Sequence, residues 1–386
     1  FPGMNSLALM YPSQSLANIA DPLNIFIECA GQTSLREVRL KVHELVEEAL
    51  RGLHLKLSGE GGLPDRRWYW VALMKLDRHY CPEMEDWCRH RWTMARKSDD
   101  PDAPGGFGRH VQHWLDAWAG MDLGLGRIPD DLVDVLTDLA IAGPAVCAFR
   151  SLRRVVSKPG DVGDALLSAS VHIAEGIRSQ FNAPEVIAML QQTDDEDAYW
   201  QRVLHYGAEG NLQAVMDEYV HLQYEAEFSG AVSESEAVTK SANAICSAAS
   251  IRASQLRPDF IDLSSDRPQI DEDPLSLRCR YAVRYGQAED EDGAIARKEV
   301  VRAAFNSPFR PFVLASTSVG QEGLDFHSWC HSIVHWNLPS NPVDLEQREG
   351  RVHRYKGHAV RKNAAMASRS DGLISETSDP WANIFA

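Results

Sequence analysis

The chain has no apolar stretch near the ~20 residues that a membrane-spanning helix needs, so no segment reads as a span. It has no internal repeat of fixed period and no long low-complexity tract. Cysteine is sparse: seven residues, odd in number and scattered at 29, 81, 88, 147, 246, 279 and 330. That pattern argues against a disulfide framework and suits a reducing, cytoplasmic compartment. Positive charge is also in deficit, with 39 Lys/Arg against 55 Asp/Glu and a net charge of −16. Such a chain does not coat nucleic acid with its whole surface. Two phosphate-chemistry patterns are missing as well. No G-x-x-x-x-G-K-[ST] occurs, and no D-E-x-[HD] run follows an apolar strand. The acidic runs Asp194–Asp197 and Asp271–Asp273 sit in polar surroundings and read as solvated loops or helix starts.

What is present is ordinary globular composition, 44% hydrophobic and 24% charged, over 386 residues, enough for two or three domains. The charge is unevenly placed. Residues 275–365 carry 13 Lys/Arg against 10 Asp/Glu, so a modestly basic segment adjoins an acidic remainder.

The sharpest feature lies in that basic segment. Gln347-Arg348-Glu349-Gly350-Arg351-Val352-His353-Arg354 has the spacing Q-R-x-G-R-x-x-R. On one helix, Arg348, Arg351 and Arg354 at i, i+3 and i+6 would share a general direction. Permanently charged forks on one face suit a phosphate or carboxylate. Gly350 would let another backbone approach, at about 1 kcal/mol of helix stability. Weak surface pairing with Asp344, Glu346 and Glu349 is the plainer reading, but it does not explain Gly350. Upstream, Phe312–Ala315 is an apolar run expected as a buried strand. Ser316, Thr317 and Ser318 follow with hydroxyls, then Gly320 and Gly323, then Asp325. Ile333–Trp336 is a second expected strand, and Ser340 or Asn341 with Pro342 should start the arginine helix. Ligands of open α/β sheets bind at the carboxyl ends of strands, where these groups would gather.

Residues 314–326 (LASTSVGQEGLDF) and 345–354 (LEQREGRVHR) resemble motifs V and VI of superfamily 2 helicases and translocases. They are most similar to the C-terminal RecA-like lobes of the Snf2/RapA-like and DEAD/DEAH types, as in large bacterial helicase-related proteins. The resemblance covers about 275–365 and fades over the first 270 residues. It implies an α/β fold: a RecA-like helicase C-terminal lobe at 271–365, joined to a large, mainly α-helical accessory region. It implies ATP with Mg²⁺, the metal held by an N-terminal RecA-like lobe that also brings the P-loop; no metal site is assigned to this chain. By position, Arg354 would be the arginine finger and Arg351 its partner on the phosphates. Gly323, Asp325, Gln347, Arg348 and Gly350 would face the nucleotide, and Ser316 and Thr317 the nucleic-acid backbone. The implied partner is nucleic acid, DNA rather than RNA, with protein partners through the helical region. The missing P-loop leads us to expect that this chain alone does not turn over ATP. Two other readings stand beside this one, a degenerate helicase-like scaffold and a nucleic-acid-binding module without motor activity. The intact Gly323, Asp325, Gln347, Gly350, Arg351 and Arg354 weigh against a remnant.

The first 270 residues read as helices, grouped as 1–143 and a 144–270 insertion or linker region. Ser34-Leu-Arg-Glu37 is a capping box, with Leu35, Val38, Val42, Leu45, Val46, Ala49 and Leu53 at helical spacing behind it. Pro129 opens a helix expected to stop near Gly143-Pro144; further helices are expected over 162–182, 184–192, 196–208, 211–228 and 233–251. Ala145–Phe149 is a candidate lobe strand, which would make 150–270 an insertion in the lobe; otherwise the helices precede it. Residues 277–285 alternate as a strand, Gly293–Phe305 reads as a helix, and 366–386 as a loose tail. His79, Cys81, Cys88 and His90 lack the tight spacing of common zinc sites and read as packing. Residues 66–97 interleave Arg66, Arg67, Trp68, Tyr69, Trp70, Arg78, Arg89, Arg91, Trp92, Arg96 and Lys97. Buried aromatics with solvated arginines are favoured there over a strand-stacking platform.

Overall fold

In the computed structural model Ser34 opens helix α4 (Leu35–Gly52) through a complete capping box: its hydroxyl accepts from the Glu37 N–H, and the Glu37 carboxylate accepts from the Ser34 N–H at 2.7 Å. Val38, Val42, Val46 and Ala49 of the predicted face are buried, whereas Leu45 and Leu53 are half-buried and Leu35, in the first turn, is exposed. The structure describes residues 7–29, 32–55, 62–92, 107–191, 197–228, 232–250, 254–256, 261–262, 269–270, 277–279, 300–315, 326–368 and 377–385. The chain divides into two units, one of residues 1–246 with 364–386 and one of residues 247–363.

The first unit is helical among its described residues. Short helices α1 (Leu7–Met10), α2 (Gln14–Ile19) and α3 (Pro22–Glu28) precede α4. Then come α5 (Trp68–Tyr80), α6 (Met84–Trp87), α7 (Phe107–Trp118), α8 (Leu132–Ala142) and α9 (Pro144–Val155). The set continues with α10 (Gly163–Phe181), α11 (Pro184–Leu190), α12 (Tyr199–Glu209), α13 (Leu212–Glu227) and α14 (Glu234–Ala249). Each predicted helix from Pro129 to residue 251 is present within a few residues. Gly143, between α8 and α9, has no room for a side chain: a Cβ there would meet the Leu139 carbonyl oxygen at 2.4 Å.

Ala145–Phe149, a candidate strand in the sequence, is instead the buried first half of α9. A short run of small and apolar residues fits a buried helix as well as a buried strand, and Pro144 at its first turn settles it as helix. Helix α9 is the hub of this unit, packed against α1, α2, α8, α10 and α13. It buries two arginines. Arg150, 1% exposed, donates to the Leu16, Ala17 and Ala20 carbonyls and so caps the end of α2. Arg154 forks onto both Asp21 oxygens at 2.6 and 2.7 Å and also meets Asp217 of α13. Burial alone would raise the Asp21 pKa, but Arg154 and Arg150 hold it below the usual carboxylate range.

Another buried carboxylate has no paired cation among the described residues. Asp77 of α5 is fully buried; its Oδ1 accepts from the Ser13 hydroxyl at 3.1 Å and the Ser15 N–H at 2.8 Å, and Tyr11 faces the same group. Burial pushes its pKa up to about 6. A raised carboxyl pKa means that the folded state holds the proton more tightly. The stabilisation is full below the unfolded pKa of ~4 and is lost as pH rises through about 6. Asp77→Asn keeps an acceptor for Ser13 and Ser15 and removes the charge. We expect it to raise Tm at pH 7.5 and to leave it nearly unchanged at pH 4, read by thermal melts at both. Equal shifts at both pH values would show that ionisation of Asp77 is not the cause.

The aromatic and basic residues after Arg66 follow the packing reading. Trp68, Tyr69 and Trp70 are buried, Arg67 chelates Asp65, and Arg89 pairs with Glu85. Arg96 and Lys97 lie outside the described residues. Cys81 and Cys88 are buried as well, and burial raises both thiol pKa values. The C-terminal end corrects the expected loose tail. Helix α18 (Pro380–Phe385) packs on α13, where the buried pair His221 and Asp379 meet at 2.7 Å. Residues 369–376 lie outside the described residues.

The second unit contains two antiparallel pairs: β1 (Ser254–Leu256) with β4 (Leu277–Cys279), and β2 (Ile261–Asp262) with β3 (Gln269–Ile270). The predicted strand at 277–285 is thus seen at 277–279, its remainder lying outside the described residues. Helix α15 (300–305) is the described end of the predicted 293–305 helix. Helices α16 (Pro342–Glu349) and α17 (His358–Ser368) follow. The runs expected as buried strands at 312–315 and 333–336 form no ladder among the described residues. Phe312, Val334 and Trp336 are 72%, 89% and 94% exposed. An apolar run becomes a buried strand only if neighbouring strands pair with it. The parallel sheet of a RecA-like lobe is therefore not among the described residues.

Candidate functional site

Asn341 starts the arginine-bearing segment as the sequence suggests. Its side-chain oxygen accepts from the Val343 N–H at 3.1 Å, and Pro342 takes the first helical position. Asp344 in the first turn and Arg348 in the last both suit the helix dipole. The helix ends sooner than expected. α16 stops at Glu349 with Gly350 as its C-cap, and Arg351 and Arg354 lie in the turns beyond. The three arginines therefore do not share one helix. The physical reason is Gly350: a weak helix former at this point ends the helix. Its φ of −60° is ordinary right-handed backbone, and a Cβ there would meet the helix's own Glu346 carbonyl at 3.2 Å. The expected close approach of another backbone at Gly350 is not what the glycine serves.

The turn after the helix brings distant sequence together. The Phe326 N–H donates to the Arg351 carbonyl at 3.2 Å, and the His358 N–H to the His327 carbonyl at 2.9 Å. Phe326 is the last residue of the serine- and glycine-rich segment; its buried ring packs edge-on to Phe305 of α15 at 5.6 Å. Gly357 makes this contact possible. A Cβ there would lie 3.0 Å from the Arg354 carbonyl oxygen and 3.4 Å from that of His327. Arg361, fully buried on α17, ties the same loop by donating to the Lys356 and Ser328 carbonyls and lying over the Trp329 ring. Burial, with Arg361, His331 and Lys362 nearby, lowers the His358 pKa.

Among the predicted residues, Gln347 and Arg354 are exposed and Arg348 and Arg351 half-buried. Arg348 donates to the Asn337 carbonyl at 3.1 Å, bracing the helix against its own entry loop, and the Arg354 Nε donates to the Gly350 carbonyl at 3.3 Å. The backbone thus joins Arg351 to the end of the upstream motif. Ser316, Thr317, Gly323 and Asp325 lie outside the described residues. Sequence reasoning missed Gly357, Trp329 and Arg361. In the sequence Gly357 and Arg361 belong to the basic stretch 355–362, which reads equally as a phosphate contact or a solvated helix end; Arg361 is neither, being fully buried.

No group of three or more His, Cys, Asp or Glu side chains that could hold a metal ion occurs among the described residues. No curated protein and no solved structure matches the chain. Residues 279–356, which contain Arg348, Arg351 and Arg354 and the loop that Arg351 is joined to, match the family model of the helicase conserved C-terminal domain, so this segment is similar to a helicase C-terminal lobe, for which a RecA-like fold is implied.

Proposed function

We propose that this chain carries the C-terminal lobe of an ATP-dependent nucleic-acid motor of superfamily 2. The observation that carries the reading is the backbone bond from Phe326 to Arg351, inside the segment matched as a helicase C-terminal domain. It couples the end of the Ser/Thr/Gly segment to the turn that presents Arg351 and Arg354. A shift at one is then felt at the other, as coupling of nucleotide state to strand grip requires. In this reading Arg354 stabilises charge on the transferring phosphoryl group and Arg351 holds the phosphates. Gln347, Arg348 and Gly350 face the nucleotide with Gly323 and Asp325, while Ser316 and Thr317 touch the strand. ATP and Mg²⁺ are the cofactors, a P-loop lobe supplies the metal ligands, and DNA is the track.

The test is ATP hydrolysis by the intact polypeptide that pairs this lobe with a P-loop lobe, with and without single-stranded DNA and RNA. Hydrolysis stimulated by DNA, falling steeply with salt as phosphate contacts require, is the expected result. Hydrolysis indifferent to both nucleic acids would overturn the motor reading. No hydrolysis at all would favour the scaffold reading.

A further inference from the structure

Arg361 of α17 is fully buried, a place an arginine takes only when its charge is engaged. Its Nη1 donates to the Lys356 carbonyl at 2.7 Å and its Nη2 to the Ser328 carbonyl at 2.6 Å, while the guanidinium carbon lies 5.1 Å from the centre of the Trp329 ring. One of these carbonyls belongs to the turn after Arg354 and the other to the loop after Phe326. A planar fork can hold two such acceptors in fixed relation, which a single ammonium cannot.

Three successive residues of that loop are fastened to the arginine turn. The Phe326 N–H donates to the Arg351 carbonyl, the His327 carbonyl accepts from the His358 N–H, and the Ser328 carbonyl accepts from Arg361. The first two bonds run from backbone to backbone and need no particular side chain. The third depends on one guanidinium.

The turn it grips is strained. Lys356 has a φ of +53°, in the left-handed region that a residue with a Cβ enters at a cost. Its carbonyl is the one that Arg361 holds. From there the backbone leads straight back to the arginines: the Arg361 N–H donates to the Gly357 carbonyl at 3.0 Å, and the Gly357 N–H to the Arg354 carbonyl at 2.9 Å. The Arg354 side chain is exposed, so its aim is set more by the backbone that carries it than by packing around it. Filling space beside Trp329 would not call for a charge, since an apolar side chain does so without the cost of burying one. What the guanidinium adds is a pair of directed bonds that fix the turn against the loop.

We infer that Arg361 is a positioning residue for hydrolysis, setting the turn that aims Arg354 at the transferring phosphoryl group. The inference rests on the motor reading.

The test is single-turnover ATP hydrolysis by the intact polypeptide, at saturating single-stranded DNA, with enzyme in excess over labelled ATP and varied in concentration. Arg361→Gln should lower the plateau rate at least tenfold and Arg361→Lys at least fivefold, each with the half-saturating enzyme concentration changed less than twofold. Lysine keeps the charge and the stem, so Arg361→Lys decides the matter if Arg361→Gln does not fold. A misfolded fraction has the opposite signature: it raises the half-saturating concentration and leaves the plateau alone. Positioning through Arg354 further requires that Arg361→Lys cost less than twofold in a chain already carrying Arg354→Ala. A plateau unchanged by Arg361→Lys, or an equal loss with and without Arg354, would overturn the inference while leaving the motor reading intact. A plateau unchanged by Arg354→Ala alone would overturn both.

Discussion

Arg354→Ala is expected to lower ATP turnover by about 10³ to 10⁵, with nucleic-acid affinity changed less than tenfold. At ~1.4 kcal/mol per decade, that loss corresponds to roughly 4–7 kcal/mol of transition-state stabilisation. Stability cannot account for such an effect. Arg354 is exposed, lies past the end of α16, and its Nε bond to the Gly350 carbonyl is long at 3.3 Å. Loss of an exposed side chain of this kind shifts stability by about 0.5 kcal/mol or less. Arg354→Lys separates charge from shape. A lysine keeps the positive charge but not the planar fork, so a finger should recover only a small part of the activity. Arg348 is the internal contrast. It already braces the Asn337 carbonyl, so Arg348→Ala should disturb the helix entry as well as any ligand contact. Steady-state hydrolysis at saturating ATP and single-stranded DNA checks all three variants in the intact polypeptide. A loss below tenfold for Arg354→Ala would remove it from the phosphoryl-transfer step.

The second large effect is on folding. Arg154→Ala is expected to destabilise the helical unit by about 3–5 kcal/mol, because it leaves buried carboxylates without their cation. The geometry sets that scale. Arg154 is 8% exposed and Asp21 and Asp217 are each 6% exposed. Asp21 is also the N-cap of α3, accepting from the Leu23 N–H, and Asp217 holds the Ser151 hydroxyl at 2.6 Å and the Gln213 amide at 3.0 Å. Removing one guanidinium therefore strands two charges and loosens three helices. Against typical total stabilities of roughly 5–15 kcal/mol, this is a third or more for many domains. Urea unfolding followed by helix circular dichroism measures it. Adding Asp21→Asn and Asp217→Asn to Arg154→Met should restore part of the loss, since the uncompensated charge is then gone. No recovery in that triple variant would point to lost packing rather than stranded charge.

The fold of the helical unit was largely legible because its signals are local. The capping box at Ser34 and Glu37, Pro184 at the first turn of α11 and the apolar periodicity of α4 each act within a few residues, whereas Pro144, read as a helix stop, in fact opens α9. Asn341 and Pro342 set the start of α16 in the same way. The Q-R-x-G-R-x-x-R spacing marked the candidate site, and the helicase C-terminal match covers it. Its shape was not legible. Treating Gly350 as a tolerated helix residue kept three arginines on one face, whereas the helix ends there and Arg351 is placed by its bond to Phe326, 25 residues upstream.

Composition and spacing by themselves determined the limits of α4 and of the helices from α10 to α14 within a few residues, which segment is basic, and which arginines are candidates for phosphate. Tertiary structure alone decided which charges are buried and what they hold. Nothing in the sequence singled out Arg150 and Arg154, whose partners lie up to 134 residues away in sequence. The same holds for His221 with Asp379. Local propensity is written in neighbouring residues. The desolvation that makes a buried charge costly, and the partner that offsets it, exist only once the chain has folded.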